Sequence, residues 1–321
     1  MYAGVDLGAT NTRAVVADVD GRILGRDRRS TPHGEGGIAV TEAVLDAIRT
    51  ACGAADTNAN RLQAVGIGSM GPLDAAAGVV DDPPNVPGAD RVPLVGPVRN
   101  LADTDRVYLH NDANAAVIAE RFYADAAPDD MVYLTISSGV GAGVCVDGRV
   151  LSGWDGNAGE IGHVTLDPRG ELTCGCGIPG HWEAYCAGSN IPDYARLLHD
   201  REDLPTDLPL DETGFDAAAV FAAAGDDPLA DRVIDRLADW NSQGFATIVH
   251  AYAPLVIRVG GGVALNNPDL VLDPVRERLP DLVMTNVPEI ELTGLGEDVV
   301  ARGAVASAMT AGTGDRARIE R

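Results

Sequence analysis

The first thirty residues contain short, apolar, strand-like runs that are separated by turn residues, a pattern that is typical of consecutive β-strands. Strands are predicted at residues 2–6, 12–18 and 22–28. A glycine-containing turn at 8–11 separates the first two strands, and an Asp-Gly dipeptide at 20–21 is a hairpin signal between the second and the third. The chain is therefore predicted to open with a β-meander.

The same order of strands and turns begins again about 130 residues later. Residues 131–137 and 144–146 are apolar strand segments with a glycine-rich turn between them at 138–143. An Asp-Gly hairpin signal at 147–148 then precedes a further strand from Val150. This repetition indicates an internal duplication at the level of architecture.

Helical spacing and short apolar runs predict the remaining elements. Helices are predicted at 38–51, 113–123, 182–198, 215–224, 228–252 and 299–309, and buried strands at 64–68, 107–110 and 255–259. Proline and glycine crowd residues 71–97, which predicts a long loop region, and the acidic segment 200–214 predicts a surface loop. The mixture of strands and helices places the fold in the α/β class.

The length of 321 residues favours two domains, because single hydrophobic cores seldom grow beyond ~250–300 residues. A hydrophobic content of 45% is enough to fill such cores and excludes bulk disorder. No apolar run reaches the ~18 residues of a membrane-spanning helix, and no basic segment precedes the apolar stretch at the N-terminus. We therefore expect neither a membrane span nor a signal peptide.

Acidic residues outnumber basic ones by 48 to 24, which gives a net charge of −24. All the basic residues are arginine, and the acidic ones are scattered along the chain. A surface this negative disfavours binding to nucleic acids and to anionic membranes. An ordinary acidic protein would fit the charge, but dispersed acids and a lack of lysine favour adaptation to high salt, which screens self-repulsion.

A first candidate for phosphate binding is the turn at 6–12. Asp6 ends a strand and is followed by Gly8, Thr10, Asn11 and Thr12. Such a turn exposes backbone N–H groups to phosphate oxygens, and an aspartate there can anchor hydrated Mg²⁺. Many ordinary hairpins have the same residues, so this signal alone is weak.

The second candidate turn, with Ser137, Ser138 and Gly139, has the equivalent place in the repeat. A bulged hairpin would explain its glycines, but two such turns at equivalent places could together grip a triphosphate. A later strand ends in Gly260-Gly261-Gly262, a sequence that permits the close approach of a nucleotide base or ribose.

Asp112 lies where a strand is predicted to turn into a helix. An aspartate at that place is explained by capping of the helix N-terminus, and the alternative is a general base. Position alone favours the cap.

Four potential metal ligands, His163, Cys174, Cys176 and His181, lie within nineteen residues. Two thiolates and two imidazoles are a complete tetrahedral set for a structural Zn²⁺, and the alternative is a group of unrelated loop residues. The spacing suits a metal better than a disulfide framework, so a reducing cytoplasm is expected.

The motifs DLGATNT, NDANAA, TISSGVGAG, EIGH, CGCGIPGHWE and VGGGVALN, in this order, resemble those of the ROK family of sugar kinases in the actin/hexokinase/Hsp70 superfamily. The resemblance extends from residue 4 to about residue 310. It implies an α/β fold of two ribonuclease-H-like (actin-like ATPase) domains flanking a cleft. The smaller domain would comprise residues 1–112 plus about 301–321, and the larger 113–300 with a zinc loop at 163–183.

The resemblance also implies roles for the candidate residues. The turns at 6–12 and 135–143 would bind the phosphates of ATP, and the glycines at 260–262 would belong to the adenosine site. Asp112 would accept the proton of the sugar hydroxyl. The residues expected to bind hexose hydroxyls are Asn85, Asn111, Asp112, Glu160, His163 and Glu183.

Two features depart from the family pattern. His181 stands where the family usually has a third cysteine, which changes the ligand set but not the expected metal. The loop at 85–88 resembles the sugar-side loop of the family but lacks the tryptophan that often follows it, which leaves sugar specificity open.

The implied activity is ATP-dependent phosphorylation of the 6-hydroxyl of a hexose, with glucose the first expectation, using Mg²⁺ and a structural Zn²⁺. Alternatives are a kinase for N-acetylmannosamine, N-acetylglucosamine or fructose, and a non-catalytic sugar-responsive regulator. Such regulators carry a DNA-binding domain before the first turn, which here begins at residue 6. A homodimer or homotetramer in the cytoplasm is expected, without nucleic-acid or membrane partners.

Overall fold

The computed structural model describes residues 1–34, 36–83, 85–124 and 128–319 as a mixed α/β protein. Its strands are β1 (Tyr2–Leu7), β2 (Asn11–Ala17), β3 (Ile23–Ser30), β4 (Ala64–Ser69), β5 (Leu73–Asp74), β6 (Val79–Asp81), β7 (Arg91–Pro93), β8 (Val107–Asn111), β9 (Met131–Ile136), β10 (Val140–Val146), β11 (Arg149–Val150), β12 (Val256–Gly260) and β13 (Glu289–Leu292).

The α-helices are distributed between and after these strands. They are α1 (Gly37–Ala54), α2 (Val95–Ala102), α3 (Asp112–Tyr123), α4 (Glu183–Cys186), α5 (Ile191–Glu202), α6 (Ala217–Ala222), α7 (Pro228–Tyr252), α8 (Gly262–Asn266), α9 (Pro268–Val271), α10 (Asp273–Leu282) and α11 (Val299–Thr310).

Two five-stranded sheets have the same internal order. The first has the order β3-β2-β1-β4-β8, and the second has the order β11-β10-β9-β12-β13. In the first sheet β1 is antiparallel to β2 and parallel to β4, and β4 is parallel to β8. In the second sheet β10 is antiparallel to β11, and β12 is parallel to β13. The matching order confirms the predicted duplication of architecture.

The chain divides into two compact units. The first contains Met1–Tyr133, Gly143–Gly159 and Leu295–Arg321, and the second contains Leu134–Ala142 and Glu160–Gly294. The domain boundaries expected from the sequence, 1–112 plus about 301–321 against 113–300, remain a prediction.

Glycines let helix α11 lie directly on the first sheet. Gly4 of β1 and Gly66 of β4 both face the backbone of this helix. A Cβ atom at Gly66 would collide with the carbonyl oxygen of Ala304, so a larger residue would push the helix away from the strand. This close packing places the backbone of α11 directly against β1 and β4.

Trp182 is the largest fully buried side chain among the described residues and lies in the second unit. It is fully buried, its ring packs edge-on against Phe245, and its Nε1–H donates to Asn241 Oδ1 at 3.0 Å. Phe245 and Asn241 both lie on α7, the longest described helix. The core therefore anchors the residues on either side of Trp182 against α7.

No described helix has both the length and the apolar character needed to cross a membrane.

Three sequence predictions about secondary structure were wrong. The turn predicted at 138–143 is shorter, since β10 already begins at Val140. The region 71–97 is not only loop, since β5, β6 and β7 form a small antiparallel sheet and α2 begins at Val95. The helix predicted at 182–198 is interrupted between α4 and α5, because Ala187 is extended and Gly188 donates its N–H outside the helix, to the carbonyl oxygen of Ser137. Short strands among prolines and a broken helix carry little periodic signal.

Candidate active site

Three parallel strands of the first sheet end side by side. Leu7 of β1 is in register with Ser69 of β4, and Ser69 with Asn111 of β8. The carboxyl ends of parallel strands are where open α/β sheets place their ligands. Asp6 and Asp112, one residue away from this row, therefore lie at the edge of the sheet that is suited to binding.

The carboxylate of Asp6 is largely buried, with 15% of its side chain exposed, and lies 3.5 Å from the Arg13 guanidinium. Burial raises its pKa to about 7 despite the opposing effect of Arg13. The negative charges of Asp112 and Asp298 raise it further. A buried carboxylate among other carboxylates is a chemically suitable anchor for hydrated Mg²⁺, since a cation would offset this repulsion.

Asn111, rather than Asp112, is the N-terminal capping residue of α3. The N–H of Ala113 donates to Asn111 Oδ1 at 2.9 Å and also to Asp112 Oδ1 at 2.7 Å. Burial raises the pKa of Asp112, and the hydrogen bond from Ala113 opposes this effect. A carboxylate with a raised pKa is a better proton acceptor, as a general base requires.

Asn157 is a candidate functional residue that was not predicted from the sequence. Its side chain accepts from the N–H of Leu73 and donates to the carbonyl oxygen of the same residue, both at 3.0 Å. A Cβ atom at Gly71 would lie 3.7 Å from Asn111 and 3.8 Å from Asn157. The only sequence signal was an asparagine three residues before Glu160, within the stretch NAGEIGH.

In the first turn the predicted residues differ in accessibility. Thr10 is exposed, whereas Thr12 is fully buried and its hydroxyl pairs with that of Thr31 at 3.0 Å. The N–H of Gly8 donates to the carbonyl oxygen of Asn11, which closes the turn. The contacts of Thr12 favour a role in holding the turn, and phosphate binding by this turn stays a prediction.

The second turn connects β9 to β10 and lies beside a pocket. The N–H of Ser137 donates to the carbonyl oxygen of Gly139, and Ser137 and Ser138 both line the pocket. The pocket has a volume of about 460 Å³, which is in the range of small-molecule sites. The residues that line it are Ser137, Ser138, Gly188, Ser189, Asp216, Ala217, Ala218, Phe221, Ala222, Gly262, Val263, Asn266 and Asn267.

The glycines at 260–262 contribute to this pocket in different ways. Gly261 has a φ of +89° and a Cβ atom there would collide with the backbone of Ile136, so glycine lets β12 and β9 approach closely. Gly262 lines the pocket itself. The residues of α6 that line the pocket were not predicted, since an alanine-rich helix carries no sequence signal of which face borders a ligand.

His163, Cys174, Cys176 and His181 form a compact cluster in the second unit, with their four ligand atoms within 4.8 Å of one another. The Nδ1 atoms of the two histidines are 3.3 Å apart, Cys174 Sγ is 3.6 Å from His163 Nδ1, and Cys176 Sγ is 3.3 Å from His181 Nδ1. Ligands of a tetrahedral zinc ion lie about 3.3–3.8 Å from one another. The four residues therefore fit a structural Zn²⁺.

Two carboxylates lie next to this cluster. Glu160 is exposed, and its Oε2 atom is 3.8 Å from His163 Nε2, the nitrogen that the cluster does not use. Glu183 Oε1 lies 3.3 Å from Cys174 Sγ. Burial and the neighbouring His163 lower the pKa of His181, which favours the neutral imidazole that a metal ligand requires.

The predicted sugar-side residue Asn85 is exposed, in a turn that the Pro83 carbonyl closes by accepting from the N–H of Val86. It lies in the first unit with Asn111 and Asp112, and Glu160, His163 and Glu183 lie in the second.

Comparisons with known proteins cover nearly the whole chain. The model of the ROK family matches residues 2–311. A glucokinase from Pyrobaculum calidifontis is 36% identical over 309 residues, which are 96% of this chain and 94% of the relative.

Solved structures are similar over the same length. A ROK hexokinase from Thermus thermophilus has a TM-score of 0.80 and 36% identity, with 95% of this chain and 96% of that one covered. A ROK family glucokinase from Streptomyces griseus, solved with glucose and AMPPNP, has a TM-score of 0.74 and 30% identity, with 95% and 97% covered. The fold is that of these kinases, and the chain belongs to the ROK family.

Proposed function

We propose that this protein is an ATP-dependent hexokinase that transfers the γ-phosphoryl group to the 6-hydroxyl of glucose. The observation that carries the proposal is Asp112, a carboxylate with a raised pKa at the end of β8, in a chain related along its length to a glucokinase solved with glucose and AMPPNP. The glucokinase from P. calidifontis supports the same activity.

The second unit would supply the nucleotide site. The 460 Å³ pocket is large enough for an adenosine group, and Ser137 and Ser138 place the turn between β9 and β10 at its edge. Backbone N–H groups of this turn would orient the β- and γ-phosphates. Gly8 and Thr10 would do the same from the first turn.

Asp112 would act as the general base. As the oxygen of the sugar 6-hydroxyl forms its bond to the γ-phosphorus, the bond to the leaving ADP breaks and the hydroxyl proton passes to the carboxylate of Asp112. Asn111, which already caps α3, would hold a neighbouring sugar hydroxyl. Asn85, Glu160, His163 and Glu183 would complete the sugar site.

Two metal ions would serve different purposes. Asp6 would hold Mg²⁺ through water, and this ion would neutralise charge on the transferred phosphoryl group. His163, Cys174, Cys176 and His181 would hold the structural Zn²⁺, which fixes the ring of His163 so that Nε2–H can donate to a sugar hydroxyl.

The identity of the sugar can be tested directly. An assay coupled to ADP release should be run with glucose, fructose, N-acetylmannosamine and N-acetylglucosamine at several KCl concentrations. The proposal predicts the highest kcat/KM for glucose. A higher value for one of the other sugars would move the assignment to that substrate, and ADP release with none of them would favour a non-catalytic regulator.

The setting of the enzyme is also part of the proposal. None of the five cysteines forms a disulfide, which supports a reducing cytoplasm. The net charge of −24 supports a salt-adapted enzyme. We propose a homodimer or homotetramer, which light scattering after size-exclusion chromatography would identify.

A further inference from the structure

A short segment connects the metal-ligand cluster of the second unit to the turn between β9 and β10. This connecting segment, residues 181–190, begins at His181, includes α4 and ends at Asn190. Trp182, buried against α7, fixes its beginning. Gly188 and Ser189, near its end, line the proposed nucleotide pocket.

Glu183 is the residue of this segment whose side chain contacts both the metal-ligand cluster and the turn between β9 and β10. Its Oε2 atom accepts a hydrogen bond from the backbone N–H of Val140 at 2.9 Å. Its Oε1 atom lies 3.3 Å from the sulfur of Cys174. One carboxylate therefore contacts both the turn and Cys174 of the metal-ligand cluster.

Two further hydrogen bonds hold the same turn. The N–H of Gly188 donates to the carbonyl oxygen of Ser137 at 2.6 Å, and the hydroxyl of Ser189 donates to the carbonyl oxygen of Ser138 at 2.6 Å. These two bonds are accepted by carbonyl oxygens of the turn, whereas Glu183 accepts from a backbone N–H of the turn. The three contacts define the orientation of the peptide groups between Ser137 and Val140.

We propose that Glu183 is a positioning residue for the phosphoryl donor, in addition to its expected contact with the sugar. By holding the N–H of Val140, it keeps the turn in the conformation in which the remaining N–H groups can meet the nucleotide phosphates. This inference rests on the proposed kinase function. Because the N–H of Val140 occupies Oε2, a hexose hydroxyl would bind at Oε1, the oxygen that lies beside the Cys174 sulfur.

A role limited to the sugar predicts a different pattern of effects. If Glu183 acts only on the sugar, substitutions at Glu183 should leave the nucleotide affinity measured without sugar unchanged. The positioning role predicts that Glu183→Ala weakens nucleotide binding, whereas Glu183→Gln largely preserves it, because the amide oxygen of glutamine can still accept from the N–H of Val140. The two variants therefore separate the roles.

The experiment is isothermal titration calorimetry of AMPPNP with Mg²⁺ in the absence of sugar. Glu183→Ala should weaken binding about 10-fold, the effect of losing one hydrogen bond to a charged group. Glu183→Gln should stay within about 3-fold of the wild type. The control is Glu171→Ala, which removes a carboxylate that lies between the ligands His163 and Cys174 in the sequence and pairs with Arg201. Its affinity for AMPPNP should stay within about 2-fold of the wild type.

A second variant approaches the same contact from the turn. A Cβ atom at Gly139 would lie 2.8 Å from Glu183 Oε2, the end of a flexible side chain that can move aside without unfolding the turn. Gly139→Ala should therefore weaken AMPPNP binding less in the Glu183→Ala background than in the wild type. Zinc analysis of each variant checks that the cluster is retained.

The results distinguish the inference from the proposed function. If the wild-type protein does not bind AMPPNP, the kinase proposal fails. If it binds and Glu183→Ala binds equally well or more tightly, or if the effects of Gly139→Ala and Glu183→Ala simply add, the positioning role is wrong.

Discussion

Asn111 and Asp112 share one backbone donor, the N–H group of Ala113, at 2.9 Å and 2.7 Å. Asn111 is the capping residue of α3, and Asp112 is the first residue of the helix. The sequence alone could explain Asp112 as a cap. Because the neighbouring asparagine already caps the helix, the carboxylate of Asp112 can be changed without removing the cap.

We expect Asp112→Asn to lower kcat by about 10²–10⁴-fold, since asparagine cannot accept the hydroxyl proton. The melting temperature should not fall, because Asn111 still accepts from Ala113 and because the raised pKa of Asp112 means that its charged form costs stability in the folded protein. Steady-state kinetics with glucose and thermal denaturation check the two parts. As a control, Asp315→Asn changes a carboxylate that caps a short helix outside the candidate site and should leave kcat near the wild-type value. A near-normal kcat for Asp112→Asn would remove the assigned base.

The raised pKa of Asp6 predicts a stability effect with a definite sign. Its folded-state pKa of about 7 lies above the usual 3.8, so the folded protein binds this proton more tightly than the unfolded chain. Asp6 therefore costs no stability below about pH 4 and destabilises the fold as pH rises towards 7. Without Mg²⁺ or ligands, Asp6→Asn should be more stable than the wild type at pH 8, by roughly 1–4 kcal/mol.

Thermal or urea denaturation at pH 5 and pH 8, at constant ionic strength, measures this difference. The gain from Asp6→Asn should be larger at pH 8. The control Asp20→Asn changes an exposed carboxylate in the hairpin between β2 and β3 and should not reproduce the gain of Asp6→Asn at pH 8. An Asp6→Asn gain that is equal at pH 5 and pH 8 would contradict the raised pKa.

Elements with strong local signals were predictable from the sequence. The two β-meanders and the long helix α7 have clear periodicity and turn residues, and the structure confirms them. The metal-ligand cluster was also predictable, because two cysteines and two histidines suited to tetrahedral coordination lie close together along the chain.

Contacts between distant segments were not predictable. Nothing in the local sequence indicates that Thr12 pairs with Thr31, that Glu183 reaches the N–H of Val140, or that α6 forms a wall of the pocket. These features depend on which segments pack together, and periodicity only states which face of an element is buried.

Removal of the metal should weaken sugar binding. Chelation of zinc, or Cys176→Ala, should lower glucose affinity by about 10-fold or more, because His163 and Glu183 would lose the support that orients them. Cys176 is exposed, so its truncation leaves no core cavity. Calorimetry with glucose, together with metal analysis, tests this expectation.

The buried Cys52 of α1 provides the control. Cys52→Ala should cost some stability but leave the zinc content and glucose affinity unchanged. If zinc-free protein, confirmed by metal analysis, binds glucose as tightly as the loaded protein, the cluster does not orient the sugar site.

The net charge of −24 predicts that salt stabilises the fold. Salt also weakens surface ion pairs such as those of Arg278 with Asp235 and Asp239, but exposed pairs contribute only about 0–1 kcal/mol each. Repulsion among the excess carboxylates should dominate, since the Debye length falls from about 10 Å at 0.1 M to about 3 Å at 1 M.

We expect the melting temperature to rise by roughly 5 °C or more between 0.1 M and 2 M KCl. The rise should shrink near pH 4.5, where many carboxylates are protonated, because less repulsion is then left to screen. A melting temperature that falls as KCl is added at pH 7.5 would show that the ion pairs outweigh the net charge and would contradict adaptation to high salt.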